Sequence, residues 1–203
     1  MSRLTEILEF NRSFVQNHEF EAFRTTKFPE KKMVILTCMD TRLVELLPKA
    51  MDLKNGDAKI IKSAGAIVAH PFGSIMRSIL VAIYSLGAEE VYVIGHHDCG
   101  MTSLNSEEVL NQAAARGISS ETIRTLENSG INLQRFLTGF HSVSDAVADS
   151  VRVIRNHPLL PSDIGVHGLV MNPETGELSI VTRGKEQEGE DSSAIPVHHH
   201  PHE

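Results

Sequence analysis

Three short strand candidates constrain this chain more than any other feature. Met33-Val34-Ile35-Leu36, Lys59-Ile60-Ile61 and Val91-Tyr92-Val93-Ile94 are all of strand length. A strand with one face in water alternates apolar and polar residues. A continuous apolar run suits a strand covered on both faces, as in a parallel sheet. Stretches of helical character separate the runs. Leu43 to Met51 reads as helix, with Pro48 late in it removing one backbone donor. Ser74 predicts an N-cap for a helix from Ile75 to about Leu86, and Gly87 predicts its stop. Strands alternating with helices imply a parallel sheet with right-handed crossovers. Further on, His167–Met171 and Leu178–Val181 flank Pro173-Glu174-Thr175-Gly176, a hairpin signal. The predicted fold class is α/β: a mostly parallel central sheet with flanking helices and a C-terminal β-hairpin.

Leu4 to Phe23 carries apolar residues at Leu4, Ile7, Leu8, Phe14 and Val15 among charges, which predicts a helix with a half-apolar face. Ser106 to Arg155 is polar and helical, interrupted by Gly117, Gly130 and Gly139 and closed by Pro158 and Pro161. No linker-like shift in composition occurs before Gly184. Residues 1–183 therefore read as a single α/β domain with an N-terminal helical arm at 1–28, and residues 184–203 as a polar tail. With 203 residues, such a chain buries roughly 70% of its unfolded surface, enough for a core of its own. The net charge of −7 offers no basic field, so neither nucleic acid nor an anionic membrane surface is an expected partner. Glutamates interrupt the N-terminus where a signal peptide needs an apolar core, so a cytoplasmic location is expected.

The only two cysteines, Cys38 and Cys99, each follow a predicted parallel strand. A disulfide framework is excluded, and a single bridge is not. Taken singly, each cysteine reads as a small buried hydrophobe. Together with the loop Gly95-His96-His97-Asp98-Cys99-Gly100 they read differently, because ligands bind at the carboxyl ends of strands in α/β sheets. Two thiols and an imidazole from this loop would leave one tetrahedral position of a zinc ion free, the pattern of a catalytic site. Asp40, two residues after Cys38, could fill that position or hydrogen-bond to a water there. Spacing alone does not separate His96 from His97 as the ligand.

The pattern Cys38-x-Asp40-x-Arg42 followed by His96-x-x-Cys99-Gly100 resembles the β-class carbonic anhydrases, in particular their small bacterial and archaeal branch. The likeness runs over roughly residues 30 to 183. It takes in MVILTCMDTRL, SAGAIV, VYVIGHHDCGM and the hairpin around Pro173. It implies one zinc ion per chain on Cys38, His96 and Cys99, with Asp40 either joining them or paired with Arg42 beside an open position. The implied activity is that of a zinc lyase, the reversible hydration of carbon dioxide to bicarbonate and a proton. Two alternatives are a hydrolase of carbonyl sulfide or carbon disulfide on the same scaffold, and a non-catalytic protein with a closed zinc site. The resemblance also implies a homodimer or a dimer of dimers, with the helical arm lying across the partner. Lys62-Ser63 departs from the arginine-asparagine of many members, and the absence of tryptophan argues against regulation by bicarbonate.

Other residues bear on the site less directly. His70 is a candidate proton carrier, although a loop histidine is the simpler reading. His97 and Asp98 are expected to shape the loop, Gly65 and Gly100 to allow close backbone approach, and Arg77 either to meet a carboxylate or to be exposed. The tract His198-His199-His200-Pro201-His202 reads as a solvated end.

Overall fold

The computed structural model describes residues 2–184. Five strands form one sheet: β1 (Met33–Cys38), β2 (Ala58–Ser63), β3 (Glu90–His96), β4 (Gly165–Met171) and β5 (Leu178–Thr182), in the order β2-β1-β3-β4-β5. β1 runs parallel to both β2 and β3, and β3 parallel to β4. Only β4–β5 is antiparallel, and it is the hairpin predicted around Pro173–Gly176. The helices are α1 (Arg3–Gln16), α2 (Leu43–Ala50), α3 (Ser74–Leu86), α4 (Ser106–Ala115), α5 (Ser120–Asn128), α6 (Leu133–Leu137) and α7 (Val143–Arg155).

The apolar runs are explained by two cores. Val34, Leu36, Val91 and Val93 point to one face, where Met76 and Ile79 of α3 and Val147, Val151 and Ile154 of α7 cover them. Met33, Ile35 and Ile94 point to the other, against Leu43 and Leu47 of α2. Every residue of β1 is therefore buried whichever way it faces, and no polar alternation survives in that run. The run at Lys59–Ile61 departs from this: β2 is an edge strand with no fully buried residue, and Ile60 is exposed. α2 persists through Pro48 because Leu43 and Leu47 anchor its buried stripe. α7 rests directly on the sheet: a Cβ at Gly95 would come within 2.8 Å of Val147, and so would one at Gly168.

Two local expectations change. Ser74 is the first residue of α3, not its cap; the cap is Gly73, which offers no side-chain acceptor, and the Ser74 carbonyl accepts from Ser78 Oγ at 2.8 Å. Gly87 does end the helix, at φ 75. α1 forms as predicted, capped by Ser2, but none of its residues is buried. Leu4, Ile7, Leu8 and Phe10 stand 48–69% exposed. Among the described residues no helix is long and apolar enough to cross a membrane. The predicted tail and its histidine tract lie outside the described residues beyond Gly184.

Candidate metal centre

The centre is built by strand ends. β1 and β3 are parallel neighbours, with Thr37 opposite Ile94, so Cys38 and His96 leave the sheet at the same edge. Thr37 Oγ1 donates to the Ile94 carbonyl at 3.0 Å and fixes the two ends to each other. After His96, the backbone N–H of His97 still reaches the Met171 carbonyl at 3.0 Å. Asp98 then turns the chain with φ 53, a conformation aspartate tolerates better than most residues, and Cys99 returns toward Cys38.

The three candidate ligand atoms lie within 4.8 Å of one another, and all three residues are buried. Both cysteines are free thiols, with their sulfurs 3.9 Å apart. That is nearly twice a disulfide bond, so no bridge exists. His96 Nδ1 lies 2.8 Å from the His97 carbonyl oxygen. A carbonyl only accepts, so Nδ1 carries the proton and Nε2 presents its lone pair. That Nε2 is buried and has no hydrogen-bond partner. A buried orphan acceptor beside two thiols is costly, and two sulfurs with one imidazole nitrogen are donors zinc prefers. The residues present therefore fit a zinc ion, and the geometry separates His96, which faces the thiols, from His97, which is exposed and lends only its backbone.

The two sulfurs differ. Burial pushes the Cys38 thiol up, but the neighbouring His96 ring and the backbone N–H groups of Gly65 and Asp40 outweigh it and bring it down to about 7. The Gly65 N–H lies 3.4 Å from Cys38 Sγ. Gly65 reaches this position at φ 74, where a Cβ would come within 2.7 Å of the Phe140 ring. Close approach is thus the reason for glycine at 65. It is not at 100, where a Cβ would meet open space. Burial dominates at Cys99 and pushes its thiol up to about 11.

Asp40 is held by Arg42. Both of its oxygens accept from the guanidinium, Oδ1 from Nε at 3.0 Å and Oδ2 from Nη2 at 2.9 Å. Oδ1 also accepts from the Arg42 backbone N–H at 2.9 Å. These bonds hold the Asp40 carboxyl at about 2, well below the usual carboxylate range. Oδ2 lies 3.7 Å from His96 Nε2, at the edge of the three-ligand group. In this structure Asp40 is paired with Arg42.

The remaining candidates sit apart. His70 is exposed and its Nδ1 accepts from the Phe72 N–H at 3.0 Å, within its own turn. Arg77 is exposed on α3. The partner of Arg42 in the opposite loop has no signature in the sequence. Arg42 Nη1 donates to Asp98 Oδ2 at 3.0 Å, and Nη2 to the Asp98 carbonyl at 2.9 Å. No spacing signal links positions 42 and 98.

A carbonic anhydrase family model matches residues 33–178. The Bacillus subtilis protein named "Putative carbonic anhydrase YvdA" is 59% identical over 188 residues, 93% of this chain and 95% of that protein. The solved β-carbonic anhydrase isoform I of Trichomonas vaginalis is 34% identical, with a TM-score of 0.83 over 91% of this chain and 100% of that one. A carbon disulfide hydrolase of Acidianus is more distant, 29% identical over 160 residues, 73% of this chain and 76% of that enzyme. The chain belongs to the β-carbonic anhydrase family.

Proposed function

We propose that the protein is a zinc-dependent carbonic anhydrase that hydrates carbon dioxide reversibly to bicarbonate and a proton, with one zinc ion per chain on Cys38, His96 and Cys99. The observation that carries this reading is the buried, unpartnered Nε2 of His96 facing two free thiols, with Asp40 drawn aside by Arg42. Zinc bound there would supply Lewis-acid activation of water as the nucleophile. The chain's own residues do the rest. The Nδ1–H of His96, fixed on the His97 carbonyl, holds the ring in the orientation a ligand needs. Asp40 Oδ2 is an anionic acceptor at the edge of the group, placed to orient an attacking water by accepting its hydrogen bond. Arg42 keeps that carboxylate charged and aimed through a two-pronged pair. A closed site with Asp40 as a fourth ligand would draw Asp40 away from its two-pronged pair with Arg42.

Stopped-flow hydration of carbon dioxide by zinc-loaded protein, from neutral to alkaline pH, tests the activity. Turnover that requires zinc and rises toward alkaline pH is expected; no turnover overturns the reading. The similarity to a carbon disulfide hydrolase favours a second reading, hydrolysis of carbonyl sulfide or carbon disulfide by the same residues. Release of sulfide from either substrate, with no carbon dioxide hydration, would select it.

The exposed apolar face of α1 supports assembly as a homodimer or a dimer of dimers, with α1 covering a second copy. Deleting residues 1–23 is expected to weaken assembly. A monodisperse, active monomer by light scattering after that deletion would refute it.

A further inference from the structure

We propose that Asp98 is a positioning residue that locks the Arg42 guanidinium against Asp40 and so ties the acid–arginine pair to the loop carrying Cys99. This rests on the carbonic anhydrase reading above and adds a residue to its machinery.

Arg42 divides its donors between two partners. One edge of the planar fork, Nε and Nη2, is given to the two oxygens of Asp40. The other edge, Nη1 and Nη2, is given to Asp98, to its carboxylate at 3.0 Å and its carbonyl at 2.9 Å. A guanidinium held along one edge can still swing about that pair. Held along two, its plane is fixed, and the plane decides where the Asp40 oxygens point. The two anchors come from different loops, one after β1 and one after β3, and Asp98 lies 56 positions beyond Arg42.

The backbone at Asp98 is shaped for this contact. Its φ of 53 lies in the left-handed region, which few L residues adopt without cost. The same conformation turns the chain from His96 back to Cys99, and the carbonyl it orients is the one that meets Arg42 Nη2. The Asp98 side chain is 86% exposed, so as an isolated surface ion pair it would contribute little to stability. Its role is directional, set by sharing Arg42 with Asp40.

This placement makes an unusual expectation. Asp98→Gly relaxes the left-handed backbone and preserves folding, yet should slow the reaction. A purely structural role predicts the reverse, a neutral or favourable change. In Asp98→Gly, turnover of carbon dioxide should fall roughly tenfold with zinc content unchanged, the scale seen when the support of a reacting group is removed. Asp98→Asn keeps an amide oxygen for Nη1 and tolerates the same backbone, so it should stay within about threefold of the parent. In an Arg42→Ala background, Asp98→Gly should add less than about twofold, because its path of action is gone.

A second readout does not depend on activity. The Nε–H of Arg42, bonded to Asp40 Oδ1, should give a sharp, slowly exchanging signal in nitrogen–proton correlation spectra of both zinc-free and zinc-loaded protein, assigned by its loss in Arg42→Lys. Asp98→Gly should broaden it and Asp98→Asn should retain it. Unchanged turnover with an unchanged signal in Asp98→Gly would overturn the proposal. So would a slowing equal in size with and without Arg42, or loss of zinc, which would make Asp98 a support for Cys99 alone. If the parent protein hydrates no carbon dioxide, the function reading fails by itself. The Arg42 signal of the zinc-free protein then still decides whether Asp98 fixes the guanidinium.

Discussion

The end of β1 with its loop and the end of β3 with its loop leave the same edge of the sheet, and each delivers one buried sulfur to the same small volume. They treat that sulfur differently. Cys38 receives the Gly65 N–H and faces an imidazole, and its thiol falls to about 7. Cys99 is equally buried but lacks those partners, so burial raises its thiol to about 11. The loops also divide the rest of the chemistry. The first supplies the acid–arginine pair, and the second supplies His96 and the residue that grips the arginine from outside. What one loop lacks the other provides, so the centre exists only when β1 and β3 hold their register.

The largest expected effects erase the comparison by removing a ligand from either loop. Cys38→Ser, His96→Ala and Cys99→Ser should each lose zinc and with it at least about four powers of ten in activity, since the group that activates the nucleophile is gone. Metal analysis beside turnover checks this, and a fully zinc-loaded Cys99→Ser protein would contradict the assignment.

Smaller losses should come from the pair that belongs to the first loop. Arg42→Ala and Asp40→Ala should each cost about two to four powers of ten with zinc retained, the usual range for a positioned proton acceptor. Because the two act as a unit, the double variant should lose little more than either single one. Wild-type turnover in zinc-loaded Arg42→Ala protein would return Arg42 to the status of a surface charge.

Next in size is a change of stability. Gly65→Ala forces a side chain into a left-handed backbone and against Phe140, and should cost about 1–3 kcal/mol in urea unfolding. It should also weaken the donor that favours the Cys38 thiolate. A variant as stable as the parent would show that the backbone at 65 can move.

The difference between the sulfurs has its own pH signature in zinc-free protein. The Cys38 value of about 7 lies below the ordinary 9.0, so folding favours its thiolate. That contribution is complete above about pH 9 and is lost as pH falls through 7. The Cys99 value of about 11 lies above 9.0, so folding opposes its ionisation, and stability declines as pH rises from about 9 to about 11. Ultraviolet thiolate absorbance should therefore rise in two separate steps that belong to the coupled pair, and either Cys38→Ser or Cys99→Ser should leave a single step. A single shared step would erase the contrast between the loops.

The sequence carried most of the frame. The continuous runs at Met33–Leu36 and Val91–Ile94 are legible as strands because both faces are covered, and that burial leaves its mark on every residue of the run. The hairpin is legible from Pro173–Gly176. The cap of α3 is not, because Ser74 has the chemistry of a cap while the backbone places Gly73 there. Cys38 and Cys99 are legible as strand-end residues, whereas choosing His96 over His97 took the likeness to a known family. The Asp98–Arg42 contact left no trace in one dimension. It joins residues 56 apart and depends on a backbone angle that an aspartate does not announce.

Gly95 and Gly168 let α7 lie directly on β3 and β4, with Val147 filling the space a side chain would need at either position. His96 follows Gly95 immediately. The thickness of that layer is therefore also a gauge for the metal centre, one position away. Even one methyl group at 95 would lift the helix or bow the strand, and the imidazole would travel with it. The exposed surface of α5 has room for substitution, and these two bare positions have almost none. A search for altered specificity would do well to leave them alone and vary the outer helices instead.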